Sequence, residues 1–376
     1  MLLLALAVFT GCHKPKQPTP EDQLDSICQH LFPADEPGAA VLVIRHDSIL
    51  FDKGYGIADL TTHAPIDGNT FFNIASGSKQ FTAVAALQLA DKGKLSLNDA
   101  VAEHFPFRSS IWKEIRIKHL LSHSSGVPDL RGGIPREEKL RGTDSLAIAY
   151  LYDLDELHFS PGTDYEYMNP TFVLCGAIVE KVSGQPFSVY MQENIFGPAQ
   201  MEAYYIADND SIIPNMAHGY EFADVSDMPE ERTAEPTSDA PKNWYEYDLG
   251  EETFFATRPD GGLYTSTHEF AKWEKYLNTL NLSNSPNSPW IPRTNVSGSK
   301  WSDYQNRPNT WYGYGWFIEP ATDSTKTVIY HTGDNGGFKI LAARYPEDDG
   351  LVLVFANRAD WDRYGLKQQI EQLFGF

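Results

Sequence analysis

Apolar positions along this chain fall into alternating helical and extended stretches. Gln23 to Phe32 reads as a first helix. Val41-Leu42-Val43-Ile44 and Ile49-Leu50-Phe51 are short β-rich runs separated by Arg45-His46-Asp47-Ser48, which predicts a hairpin, and Gly54-Tyr55-Gly56 continues its second strand. From Ser76 a helical pattern runs through Phe81, Val84, Ala85, Leu87 and Leu89 and stops at Gly93. Ile117 to Ser122 and Thr171 to Val182 predict two more helices, the second closed by Ser183-Gly184. The period then turns β-like, at Tyr314 to Ile318, Thr327 to Tyr330, Lys339 to Ala343 and Leu351 to Phe355, before a last helix over Asp362 to Phe374. Strands at both ends with helices between them predict an α+β fold: one antiparallel sheet built from both chain ends and flanked by helices, with a mostly helical domain inserted in the middle.

Two stretches lack periodicity. Glu221 to Glu252 is acidic and holds Pro229, Pro236 and Pro241, as expected of a long surface excursion. Asn278 to Pro292 is rich in Asn, Ser and Pro and reads as a loop. The expected division is 1–12 leader, 13–23 tether, 24–80 plus 255–376 sheet domain, and 81–254 mostly helical domain with the acidic excursion. There is no internal repeat.

Charge removes whole classes of partner. With 30 Lys and Arg against 51 Asp and Glu, the net charge is −21. A phosphate backbone needs a basic face, so nucleic acid is excluded as a partner, and so is an anionic membrane held by charge. A hydrophobic content of 41% excludes disorder of the whole chain. The expected partner is a small-molecule or peptide substrate. Nothing in the sequence decides the oligomeric state.

The three cysteines, Cys12, Cys28 and Cys175, are too few for a disulfide scaffold. Met1 to Thr10 is apolar but too short to span a bilayer, and reads as the core of a signal peptide. The Thr-Gly-Cys that follows resembles a bacterial lipobox, which implies lipidation of Cys12, export, and a membrane association made only through that anchor. His13 to Gln23 is polar and Pro-rich, as suits a tether. Cys28 and Cys175 could pair or stay free; Cys175, in an apolar helical stretch, reads as a buried thiol.

Three short motifs carry chemistry. Ser76-Gly77-Ser78-Lys79 opens a helix, where positions three apart share a face, so Ser76 Oγ and Lys79 Nζ can meet. A serine hydroxyl needs a neighbouring base, and a desolvated lysine can serve as one. By itself the tetrapeptide is equally an ordinary helix start capped by Ser76. The second motif is Tyr167-Met168-Asn169. The third is His331-Thr332-Gly333, at the end of a strand and followed by Asp334.

Together these resemble the serine β-lactamase and penicillin-binding protein superfamily, in its class C-like branch with Tyr-x-Asn as second motif. The resemblance extends over nearly the whole chain after the leader. It includes FNIASGSKQFTA, IKHLLSHSSGVPDL, FSPGTDYEYMNPTFVLCGAIVEKVSGQPF, DGGLYTSTHEFAKW and YGYGW, in the family's order. Tyr167 follows Ser76 by 91 residues and His331 follows Tyr167 by 164, close to the family spacing. The resemblance implies a β-lactamase/transpeptidase-like fold and a serine hydrolase without cofactor or metal. Ser76 is then the nucleophile that forms an acyl-enzyme. Lys79 and Tyr167 share the general-base work, Asn169 bonds Lys79 and the substrate amide, and the N–H groups of Ser76 and Asp334 form the oxyanion hole.

The third motif departs from Lys-Thr-Gly. His331 replaces a permanent cation with a group that is neutral for part of the physiological range. His-Thr-Gly is similar to a D-alanyl-D-alanine carboxypeptidase branch, and His-x-Gly occurs in D-aminopeptidases and relatives. Asp334 is expected to place a negative charge beside the oxyanion hole, unless its side chain turns to solvent. The leading reading is a hydrolase of small esters or D-amino-acid peptides. The alternatives are a D-alanyl-D-alanine carboxypeptidase or weak β-lactamase, and a non-catalytic peptidoglycan-binding or scaffold protein.

Other residues have plainer readings. His119 and His123, four apart on a helix, lack a third ligand and are not expected to hold a metal. Trp311, Tyr312, Tyr314 and Trp316 suit a core better than a cleft.

Overall fold

A computed structural model of the chain describes residues 17–129, 143–205, 213–222, 244–246, 257–280, 282, 285–302, 307 and 309–376. The leader with Cys12 and most of the acidic excursion lie outside the described residues. Eight strands form one antiparallel sheet: β1 (Ala39–Arg45), β2 (Ser48–Tyr55), β3 (Thr294–Asn295), β4 (Trp311–Tyr312), β5 (Phe317–Glu319), β6 (Val328–Asn335), β7 (Phe338–Tyr345) and β8 (Gly350–Ala356). Their order is β3-β4-β5-β6-β7-β8-β1-β2, so the last strand lies beside the first, with Ala39 opposite Ala356.

Side chains alternate across the sheet, and its central strands are dry on both faces. Leu42, Ile340, Leu353 and Phe355 enter one core with the inserted helices. Val41, Val43, Leu341, Val352 and Val354 enter another, closed by Leu24, Cys28, Leu366 and Ile370 from the first and last helices. Burial on both faces explains why these strands read as continuous apolar runs instead of alternating ones. The first core also takes in Ile117, Leu120, Phe172 and Ile178, so one apolar cluster joins the sheet to the inserted region.

Several boundaries move for local reasons. The first helix is Pro20–Leu31 and begins inside the stretch read as tether. Thr19 caps it, exchanging bonds with Asp22 in a capping box, and Pro20 sits where its missing N–H costs nothing. The helix expected from Thr171 is Asn169–Ser183, with Pro170 in its first turn. Tyr314 to Ile318 is not one strand: β4 and β5 flank a turn at Gly313–Trp316, where Gly315 has φ +87° and a Cβ would meet Ala83 Cβ at 2.9 Å. Tyr312, Tyr314 and Trp316 are buried.

The described ends of the acidic excursion pair with each other, Tyr220–Phe222 against Trp244–Glu246. Cys28 and Cys175 are unpaired and buried, and burial pushes both thiols up, away from reactivity. No helix among the described residues is long and apolar enough to cross a membrane.

Candidate active site

The Ser76 turn is built before the helix it opens. Ala75 to Ser78 form a short 3₁₀ turn, and the α-helix Lys79–Asp91 continues from it. Ala75 has φ +47°, a left-handed conformation that costs a residue with a Cβ about 1–2 kcal/mol. Neighbours hold it there: its N–H donates to Asn73 Oδ1 at 2.8 Å, and Ser78 Oγ donates to its carbonyl at 2.7 Å. Gln80, almost wholly buried, donates to Gly77 O and accepts from Trp273 Nε1 at 2.9 Å, which fixes the same turn from beneath. Strain of this kind persists only where surrounding bonds over-determine it.

Lys79 is fully buried. Its Nζ donates to Ser76 Oγ at 3.0 Å, Asn169 Oδ1 at 2.7 Å and the Asp260 carbonyl at 2.7 Å. Asn169 is the first residue of its helix, so the Tyr-x-Asn segment delivers the amide directly to the amine. The Asp260 carbonyl, at the end of a short helical turn Arg258–Gly261, opens the DGGLYTSTHEFAKW stretch but lies outside the three motifs read as carrying chemistry. Lys79 Nζ also lies 5.0 Å from the Tyr167 ring centroid. Ser76, Lys79, Tyr167 and Asn169 therefore meet around one ammonium, with Ser76 within proton-transfer distance.

The third motif lies inside strand β6, which runs on through Asn335. Only Val328 to Tyr330 pair with β5, whereas pairing with β7 continues to Asn335. Gly333 is where the strand presses on the Ser76 turn: a Cβ there would fall 2.3 Å from Ile74 O and 2.9 Å from Ala75 Cβ. No larger residue fits without moving Ser76's neighbours.

His331 is buried inside an aromatic box. Its Nδ1 lies 2.6 Å from the Thr332 carbonyl and its Nε2 3.0 Å from Tyr312 Oη. A carbonyl only accepts, so Nδ1 carries the proton and Nε2 accepts from the tyrosine. Burial, reinforced by the Lys79 charge, lowers its pKa to about 3, so the ring is neutral at physiological pH. The position held by lysine in the family pattern is thus uncharged.

Asp334 differs from the expectation of a bare negative charge. Both its carboxylate oxygens accept from Arg363, which also donates to the carbonyls of Gly333 and Ile340. Its charge is met by a guanidinium because the last helix, capped by Asp362, brings Arg363 up against the strand end. That residue carried no motif, and only its place in the closing helix could have signalled it. His119 and His123 are each engaged singly: His119 Nδ1 accepts from Arg116 N–H and His123 Nδ1 from Met168 N–H.

The Beta-lactamase family model matches residues 27–373 of the chain. Protein flp of Staphylococcus aureus (strain MW2) is 28% identical over 344 residues, which is 90% of this chain and 63% of that protein. The chain therefore spans less than two thirds of the length of that relative. Among solved structures, the penicillin binding protein from Bacillus halodurans superposes with a TM-score of 0.72 and 26% identity, covering 93% of this chain and 99% of that one. D-amino acid amidase from Ochrobactrum anthropi SV3 superposes with a TM-score of 0.69 at 19% identity over 90% of this chain and 93% of that one, a likeness of fold.

Proposed function

The chain belongs to the Beta-lactamase family of serine hydrolases, and from that premise we propose that it works through a Ser76 acyl-enzyme on small esters or D-amino-acid amides and peptides. The observation that carries this reading is the Lys79 amine, 3.0 Å from Ser76 Oγ and oriented by Asn169 and the Asp260 carbonyl. In this reading the Lys79–Tyr167 pair is one proton short when substrate binds, and Ser76 Oγ attacks the substrate carbonyl as its proton passes to that pair. The oxyanion is held by the N–H groups of Ser76 and Asp334. Tyr167 returns the proton to the leaving group, and water then releases the acyl group by the same relay in reverse.

The substrate class follows from charge. A neutral His331 with both ring nitrogens engaged offers no fixed cation to a substrate's free carboxylate. Asp334 is paired with Arg363 and does not stand as a bare negative charge, so the preference rests on His331 alone. Neutral esters and amides lose nothing by that arrangement. The fold shared with a D-amino acid amidase and a penicillin binding protein is in keeping with either acyl donor.

The test compares kcat/KM for p-nitrophenyl acetate and a D-aminoacyl p-nitroanilide with that for a D-Ala-D-Ala peptide and a chromogenic cephalosporin. We expect the two substrates without a free carboxylate to lead by about tenfold or more. A lead for the carboxylate-ended peptide overturns the preference in favour of a carboxypeptidase, and a lead for the cephalosporin in favour of a β-lactamase. Absence of turnover together with absence of fluorophosphonate labelling at Ser76 favours the non-catalytic scaffold.

We also propose export and lipid anchoring through Cys12, on the motive of the apolar leader and the polar stretch that follows. A Cys12→Ala protein is expected to leave the membrane fraction, and unchanged fractionation would sink the idea.

A further inference from the structure

We propose that His123 is a positioning residue for Tyr167, gripping the backbone N–H groups of the residues on either side of it. Glu166 N–H donates to the His123 carbonyl at 3.0 Å, and Met168 N–H donates to His123 Nδ1 at 3.1 Å. The residue between those two amides is Tyr167, and its ring packs on the imidazole with centroids 4.2 Å apart. One residue thus holds the tyrosine by its backbone on both sides and by its face.

The local fold makes that grip possible. His123 follows the short helix Ile117–Leu121 and adopts φ +53°. Two further bonds zip its turn to the segment that carries the tyrosine: Gly162 N–H to Ser124 O, and His158 N–H to Gly126 O.

Shape alone does not explain a histidine here. His123 is fully buried among Tyr165, Tyr167, Phe172 and Tyr312, with centroids 4.2 to 6.1 Å away. Its Nε2 is buried with no hydrogen-bond partner among the described residues. A phenylalanine would suit such a box without burying that nitrogen. What the imidazole adds is an acceptor at Nδ1, available only while the ring is neutral. Burial, with the Lys79 charge, holds its pKa well below the ordinary histidine value, so the acceptor persists across physiological pH.

This inference rests on Tyr167 carrying the proton, and the experiment separates the two. His123→Phe keeps the bulk and removes the acceptor. His123→Asn places Oδ1 where Nδ1 stood and tolerates positive φ. With p-nitrophenyl acetate, His123→Phe is expected to lower kcat by about 10- to 100-fold with KM within about threefold, since small misplacements of a catalytic group cost that much. His123→Asn is expected to restore kcat to within about threefold of wild type. In a Tyr167→Phe background, His123→Phe should lower the fluorophosphonate acylation rate of Ser76 by less than about threefold, because a positioning residue has nothing left to position. Equal losses in both backgrounds, or failure of asparagine to rescue, overturn the proposal. If circular dichroism shows that His123→Phe does not fold, His123→Ala enters the same cycle. Wild-type turnover in Tyr167→Phe removes the underlying reading and this inference with it. A collapsed Tyr167→Phe beside an unaffected His123→Phe overturns this inference alone.

Discussion

Arg363 binds Asp334 through both carboxylate oxygens, at 2.9 and 2.7 Å, and the same guanidinium donates to the carbonyls of Gly333 and Ile340. Arg363 is 8% exposed at its side chain and Asp334 58%, so the pair is anchored from the protein side and open at the other. Asp334→Asn is therefore expected to leave kcat/KM within about threefold for neutral and carboxylate-ended substrates alike, since exposed pairs contribute little. Arg363→Met strands two buried carbonyls. It is expected to cost about 2–4 kcal/mol in urea unfolding and to lower kcat with it.

Gly333→Ala tests the contact between strand and Ser76 turn. The new Cβ would fall 2.3 Å from Ile74 O, so either the strand or the turn must move. The expected cost is about 1–3 kcal/mol of stability, read from denaturant unfolding. The larger effect is expected in kcat, because Ser76 lies in the turn that yields. A fully active Gly333→Ala would show that the turn tolerates displacement.

Lys79→Ala and Tyr167→Phe are each expected to lower turnover by roughly 10²–10⁴-fold, the range for removing a general acid or base. The double variant is expected to be scarcely worse than the poorer single one, because the two groups serve one proton. Losses that add in free energy, measured as Ser76 acylation rates, would assign them separate tasks. Ser76→Ala is expected to abolish labelling altogether.

The buried histidine of the third motif should be visible in the pH dependence of stability. His331 is lowered from the model-peptide value of 6.5 to about 3, so between those pH values the unfolded chain binds a proton that the folded chain does not. Its contribution is present above about pH 6.5 and is lost progressively as pH falls toward 3. His119, lowered to about 4, acts in the same direction, and Asp144, raised to about 6, opposes it. The difference between wild type and His331→Gln isolates the one group. Relative to the variant, wild-type unfolding free energy is expected to fall by about 1.4 kcal/mol per pH unit through that window. Parallel curves would mean that His331 titrates normally.

Much of the sheet was legible because its central strands are dry on both faces: a run such as Leu351 to Phe355 has no polar position to blur it. The boundaries that moved did so where one residue changed the local geometry, as Pro170 did in a first helical turn and Gly315 between β4 and β5. Ser76 and Lys79 were legible together because their contact is set by helical spacing. Arg363 and the Asp260 carbonyl were not, because each reaches the site from far along the chain and neither belongs to the three motifs that carry chemistry. The charge state of His331 was hidden for a related reason. It depends on Tyr312, Lys79 and depth of burial, none of which lies beside it in sequence.

The pairing of the first strand with the last also governs when the chain becomes competent. A ribosome makes Ser76 and Lys79 well before Gly333, which buttresses their turn, and Arg363, which ties down the buttress. Until β6, β7 and β8 exist, β1 lacks its neighbour and the Ser76 turn lacks its wall. Sheet closure across some 300 residues is a late, slow event of high contact order. Every nascent chain therefore carries Ser76 through the synthesis of the intervening segment without the strand that completes the proposed site, and competence is timed by chain order itself.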